Sequence, residues 1–290
     1  MSATTAYNLQ SKKSIISFTG KDAANFLQGQ TTCDVLSLDD TNSGFGALCN
    51  PKGRVISLFH LVKRGEIFYM TLSSDLSASV IKRLKMFVFR SKVIIDDVTS
   101  QFIILGVNEA LPFVLENTLR PLANIQYTEQ DNLALLLIPT SCTEELSHIF
   151  DIALNDNEWD KWLISACIPE ITQETSEQFI PQMLNLDALK GISFQKGCYT
   201  GQEVVARMHY KGSVKRRLVS YQSASPFVIG EQLFTGTDTN SIGTVLNSIP
   251  SGNQTHTGLT VLKVPLINDQ EILLKNNIAI SILLPKYKLD

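Results

Sequence analysis

Eight consecutive residues, Lys196-Gly-Cys-Tyr-Thr-Gly-Gln-Glu203, bring an amine, a thiol, a phenol and a carboxylate together. Thr200 and Glu203 have the spacing of a capping box, in which the hydroxyl accepts from the amide three residues on and the carboxylate reaches back. That spacing predicts a helix from Gly201 to about His209, with Cys198 just before its first turn. The positive end of a helix and a nearby cation such as Lys196 both favour thiolate over thiol. An ordinary cysteine, pKa about 8.5, is only a few per cent ionised at neutral pH, and a depression of about two units makes it mostly thiolate. The same helix end can instead hold an anionic ligand group, with Gly197 and Gly201 letting the backbone approach it. A structural reading also fits, because a lone cysteine is often a small buried hydrophobe and a capping box is first a helix-start device.

Other polar residues cluster around this segment. Gln182, Asn185 and Gln202 are dense amides that can line a pocket or serve turns and surface. Arg207, His209, Lys211, Lys215, Arg216 and Arg217 form a basic run. Such a run is either a solvated face or an attractor of polyanions such as a polyglutamate tail or RNA. Trp159 and Trp162 are three apart on a predicted helix, where each is either core or a flat stacking face for a heterocycle. The five cysteines, Cys33, Cys49, Cys142, Cys167 and Cys198, include no C-x-x-C pair. Neither a zinc site, a cluster ligand set nor a disulfide framework is indicated, so no metal is expected.

These residues need a scaffold, and the chain can supply one. With 290 residues it has the length of two or three domains. It is 44% hydrophobic and 18% charged with a net charge of -3, which argues against bulk nucleic-acid binding. No run approaches the roughly 18 apolar residues of a membrane span, and no secretory signal is visible at Met1-Ser-Ala-Thr. A reducing cytoplasm fits best.

Strands are predicted at Ser14–Phe18, Arg54–Val62, Ile67–Leu72 and Val93–Ile95, with a hairpin at Lys63-Arg-Gly-Glu66. Helices are predicted at Ala23–Gln28 and Leu76–Phe87, the latter capped by Ser73 or Ser74. Phe102–Val107 and Leu133–Ile138 read as strands. Glu109–Leu119 and Glu144–Leu154 read as helices, the second capped by Ser141 or Thr143. From Leu218 onward, short β-rich runs at Leu218–Tyr221, Gln232–Phe234, Ile242–Leu246, Leu259–Val264 and Ile278–Leu284 alternate with turn residues. They predict a small barrel or sandwich beyond Gly212–Lys215.

The eight-residue segment followed by Val205-Ala-Arg207 resembles the signature of YgfZ-type folate-binding proteins, relatives of the glycine-cleavage aminomethyltransferase. Phe26-Leu-Gln-Gly-Gln-Thr-Thr-Cys-Asp-Val35, Asn50-Pro-Lys-Gly-Arg54, Phe89-Arg-Ser-Lys-Val93 and Phe179-Ile-Pro-Gln-x-x-Asn185 agree as well, in the same order over about two hundred residues. The resemblance implies an α+β, three-domain aminomethyltransferase-like folate-binding fold with a C-terminal β-barrel. Its first domain would be discontinuous (1–46 plus 118–212), its second 47–117 and its barrel 213–290. It implies tetrahydrofolate or a one-carbon derivative as cofactor, with Cys198 and Lys196 as the reactive pair. Trp159, Gln182, Asn185, Tyr199, Gln202, Glu203 and Arg207 become the implied folate contacts. The pocket's other family tryptophan is replaced here, and Lys13 lies at about its place. The implied role is accessory: maturation or repair of iron–sulfur enzymes, including tRNA methylthiotransferases, with indirect tRNA contact and no membrane. The alternative is a folate-dependent aminomethyltransferase, and the residues alone leave open whether the protein turns over a substrate.

Overall fold

The strand predicted at Ser14–Phe18, rich in β-branched and aromatic residues, lies inside Lys13–Thr19 in the computed structural model. The structure describes residues 4–108, 123–126, 133–146, 148–154, 157–236, 239–252 and 254–289. Lys13–Thr19 pairs antiparallel with Ile67–Ser73 on one side and Ile94–Asp97 on the other. Val55–Arg64 turns into Ile67–Ser73 through Gly65, whose φ is +57°. Ser43–Cys49 completes this five-stranded antiparallel sheet. The expected domain boundary at 46 and 47 falls inside that strand, and the one at 117 and 118 lies outside the described residues. The helix Ser74–Lys85 lays Leu76, Val80 and Leu84 on the sheet.

A second sheet runs in the order Phe150–Leu154, Thr4–Asn8, Phe102–Asn108, Leu133–Pro139, Ala123–Gln126. Leu133–Ile138 is buried throughout, as a strand covered on both faces must be. One prediction fails in this sheet. Among the described residues of the helix expected over Glu144–Leu154, only Glu144, Glu145 and Leu146 are helical, and Phe150–Leu154 runs parallel to Thr4–Asn8. Leu146 and Phe150 are both buried and four apart, which mimics helical spacing. The N-terminal strand that claims Phe150–Leu154 leaves no local mark. Thr143 does not cap, since its hydroxyl donates to the Thr140 carbonyl. The helix expected over Glu109–Leu119 lies outside the described residues.

The third sheet is antiparallel and six-stranded, in the order Gln232–Leu233, Gly243–Gly252, Thr255–Lys263, Arg216–Ser223, Ala279–Leu283, Glu271–Leu273. It curls until its edges meet, with the Lys275 amide donating to the Phe234 carbonyl at 2.8 Å. This is the predicted C-terminal barrel; Glu271–Leu273 is the strand the sequence pattern omits.

One apolar core runs from Ile16 and Phe59 through Leu184 and Leu186 to Leu259 and Val261. The stretch 171–192 is therefore the filling between the first sheet and the barrel. A second core, built on Ile15, Phe102, Leu135, Trp159 and Leu163, joins the first two sheets. Among the described residues no helix is long and apolar enough to cross a membrane.

Candidate functional site

The helix after the eight-residue segment spans Gln202–Lys211, and its N-cap is Gly201 at φ +86°, ψ 0°. The predicted capping box does not form. Left-handed Gly201 carries the turn, so the helix begins one residue later and the Gln202 amide donates to the Tyr199 carbonyl at 3.1 Å. Glu203 is exposed, and no side chain caps the helix.

The loop before the helix is held from two directions. Thr32, fully buried, donates its hydroxyl to the Gly191 carbonyl at 2.6 Å and accepts the Ser193 amide on its own carbonyl at 2.9 Å. The Thr200 amide donates to the Gly29 carbonyl at 3.2 Å. Lys196 Nζ donates to the carbonyls of Thr31 and Cys33 at 2.8 and 2.6 Å. On the other side the turn at Asn50–Gly53 presses on the helix start. A Cβ on Gly201 would lie 2.6 Å from the Asn50 carbonyl oxygen, and one on Gly53 would lie 2.8 Å from Val204. The Val55 amide donates to the Phe179 carbonyl at 2.8 Å, which ties in the stretch before Gln182. Segments scattered from Gly29 to Val204 thus meet at one place. Thr31, Thr32 and Asn50 are the supporting residues that spacing could not single out, because their partners are distant backbone groups.

Cys198 is exposed on this anchored loop, whereas Cys33, Cys49 and Cys167 are buried. Burial pushes the Cys33 thiol up to about 11 and those of Cys49 and Cys167 up to about 12, so these three stay neutral. Lys196 is not spent on charge-pairing the thiol; its ammonium serves the two carbonyls and sits 5.2 Å from the centre of the Tyr199 ring. Tyr199 is buried, and burial drives its phenol far above the ordinary range.

Burial also lowers the Lys196 amine from 10.5 to about 8. Between those values the unfolded chain binds a proton that the folded chain does not, so this group makes stability rise with pH from about 8 to 10.5. Amine-selective labelling read by peptide mass analysis is expected to show half-maximal modification of Lys196 near pH 8. A midpoint at the ordinary lysine value of 10.5 would contradict this assignment.

The amides have structural duties. Gln182 Nε2 donates to the Val205 carbonyl at 2.7 Å, and Asn185 Nδ2 donates to the Leu218 carbonyl at 2.9 Å. Of the basic run, Arg217 is buried and paired with Asp187, and Arg216 donates to the Ser241 carbonyl. Arg207, His209, Lys211 and Lys215 remain exposed, with the His209 ring stacked 3.7 Å from that of Phe194.

Trp159 lies away from the thiol loop. It is fully buried against Gly106, where a Cβ would overlap its ring. Elsewhere, between the first sheet and the 169–171 segment, a narrow cleft is lined by Lys13, Phe45, His60, Thr71, Pro169 and Glu170. Lys13 forms an ion pair with Glu170 there, and neighbouring Lys12 pairs with Asp160. The His60 ring stacks on Phe45 at 4.9 Å and is held neutral, burial lowering its pKa to about 3. The free space admits about one water molecule.

No family profile matches the chain. It is 33% identical over 277 residues to the tRNA-modifying protein YgfZ of Colwellia psychrerythraea, covering 89% of this chain and 84% of that one. It is 32% identical over 273 residues to the YgfZ of Vibrio vulnificus strain YJ016, with the same coverage. In fold it matches the glycine cleavage system aminomethyltransferase T of Bartonella henselae with a TM-score of 0.70 over 99% of this chain and 88% of that one, at 13% identity. A common fold, and identity of this level along nearly the whole length, place the chain in the YgfZ family.

Proposed function

We propose that this protein acts in tRNA modification as a tetrahydrofolate-binding accessory to iron–sulfur enzymes such as tRNA methylthiotransferases, in a reducing cytoplasm. The observation that carries this reading is the anchored loop. It presents Cys198 to solvent while buried residues from distant segments hold its backbone in place. A rigid, accessible thiol suits repeated contact with a sulfur-bearing or cluster-bearing partner. The relatives' names supply the tRNA connection.

Folate is assigned to the cleft by its donor chemistry. The Glu170 carboxylate can accept from an aminopyrimidine edge, and the buried Thr71 hydroxyl has no partner among the described residues. Phe45 and His60 offer flat walls, and Lys13 offers a cation for an anionic tail. These residues fit a pterin in chemistry but not in size as the cleft stands, so binding requires the Lys13–Glu170 pair to part and the cleft to widen. Trp159 has no open ring face, so its part is in the core between the first two sheets. When bound, tetrahydrofolate would supply a carrier for one-carbon units. The chain's own residues bind and orient it and exclude water.

In a strain lacking the gene, wild-type protein is expected to restore tRNA methylthiolation and Cys198→Ala to fail, with the variant's thermal midpoint unchanged because the side chain is exposed. Full complementation by Cys198→Ala would remove the role given to the thiol. The shared fold keeps an aminomethyltransferase activity as the second reading. Formation of methylene-tetrahydrofolate from a lipoyl-bound aminomethyl group would favour it over the accessory role.

A further inference from the structure

Phe89 sits at the tip of a turn closed by the Ser91 amide, which donates to the Val88 carbonyl at 2.7 Å. Its φ is +33° and its surface is 88% exposed. Positive φ is uncommon for a bulky side chain and strains the backbone. An exposed phenylalanine also forgoes the gain of burial. Both penalties fall on one residue, yet the turn is pinned. The Lys92 amide donates to Asp22 Oδ2 at 2.7 Å, and the Lys92 carbonyl packs on Gly20, at φ +105°, where no Cβ fits.

The ring is flanked by cations in sequence, two of which, Lys82 and Lys85, line a cavity beside Asp97. Lys82, Arg83, Lys85, Arg90 and Lys92 are five cations in eleven residues with no acid among them, although the whole chain carries -3. Among the described residues none of the five is in an ion pair. This run also adjoins the Cys198 loop. Arg83 acts electrostatically on Cys49, and the Cys49 Cβ lies against Gly201. The helix Ala23–Gln28, about 9 Å long, makes a second connection. Asp22 before it holds Lys92, and Gly29 after it accepts from Thr200.

We infer that this surface binds single-stranded RNA, with one base stacked on Phe89, the phosphates along the lysine and arginine side chains, and the strand leading toward Cys198. A fixed, exposed ring near cations that are in no ion pair among the described residues is the combination that sequence-tolerant single-strand binding uses. This deepens the proposed role in tRNA modification and rests on it.

The test is fluorescence anisotropy of the full chain with a labelled oligouridylate of about twelve nucleotides and with an unmodified tRNA transcript. Phe89→Ala is expected to weaken both about tenfold, and Phe89→Trp to retain binding. Arg90→Gln with Lys92→Gln should lower the salt dependence by about one unit per lost phosphate contact. Lys275→Gln, on the barrel, should change nothing. Phe89→Gly relieves the positive φ, so it should fold as well as wild type and still bind weakly, which separates the ring from the turn. Unchanged affinity in Phe89→Ala and Phe89→Gly overturns the inference. So does a wild-type protein that binds no RNA, or one that binds phosphatidylglycerol vesicles through Phe89 instead. If the wild-type gene still restores tRNA methylthiolation in any of those cases, the proposed function survives without this surface; if it does not, the function itself falls.

Discussion

Replacing Arg217 with alanine is expected to destabilise the fold by about 3 kcal/mol, seen as a lower urea midpoint at unchanged slope. Arg217 is 5% exposed and gives Nη1 to both carboxylate oxygens of Asp187, at 2.6 and 2.9 Å, and to the Gln182 carbonyl at 3.0 Å. Removing the guanidinium strands a carboxylate and a carbonyl in a place that water reaches poorly, which is the expensive way to break an ion pair. Asp187 keeps 20% side-chain exposure, so the expected loss sits at the lower end for buried pairs. Adding Asp187→Ala to Arg217→Ala should recover part of the loss, because the orphan charge goes too. Lys215→Ala, two residues away but exposed, should stay within about 0.5 kcal/mol of wild type. Equal effects at 215 and 217 would mean that Arg217 is solvated in solution.

The contrast between Lys215 and Arg217 shows where sequence reading stops. A run of basic residues says nothing about which of them turns inward, because Asp187 lies thirty residues back and meets Arg217 only when the barrel docks on the 171–192 filling. Elements set by local pattern were legible: the Lys13–Thr19 strand, the hairpin at Gly65, the helix laid down by Leu76, Val80 and Leu84, and most barrel strands. Ser43–Cys49 escaped notice because Gly44 and Gly46 make it look like a loop. Gly46 is needed, since a Cβ there would lie 3.0 Å from Cys33 Sγ and from the Phe59 ring. Phe150–Leu154 was misread because its strand state comes from pairing with the N-terminus. Of the site, the thiol was within reach of motif reasoning, but its exposure was not, since a lone cysteine reads equally as a small buried hydrophobe. The work of Lys196 was not: a lysine two residues from a cysteine reads as its charge partner, while the structure sends it to the carbonyls of Thr31 and Cys33.

Those two carbonyls and the Asn50 turn make the loop a relay between the fold's stability and its chemistry. The cleft that would hold folate lies between the first sheet and the 169–171 segment, while the thiol loop lies between the first sheet and the barrel. Strand Val55–Arg64 belongs to both. Its start is tied to Phe179 beside the loop, and His60 along it lines the cleft. A ligand that parts Lys13 from Glu170 therefore acts on the same sheet that seats the Cys198 loop, with no separate linker needed.

The two glycines of the segment should behave in opposite ways. Gly201→Ala is expected to destabilise by about 3 kcal/mol and to abolish complementation. Alanine at φ +86° is disfavoured by 1–2 kcal/mol. Its Cβ would also lie 2.6 Å from the Asn50 carbonyl oxygen and 3.0 Å from both Cys49 Cβ and Gly53 Cα. Those neighbours are largely backbone, inside a turn where the Gly53 amide already donates to that same Asn50 oxygen. Relief means opening the turn or shifting the helix start, and either displaces the Cys198 loop. Gly197 has no positive φ, and a Cβ there meets nothing within 4 Å. Gly197→Ala should leave the urea midpoint unchanged. If it nonetheless lowers tRNA methylthiolation, the methyl must be meeting a bound partner, which makes Gly197 a clean reporter of contact at this surface. Equal stability loss at 197 and 201 would overturn the distinction, and with it the view that Gly201 is the residue on which the thiol loop is built.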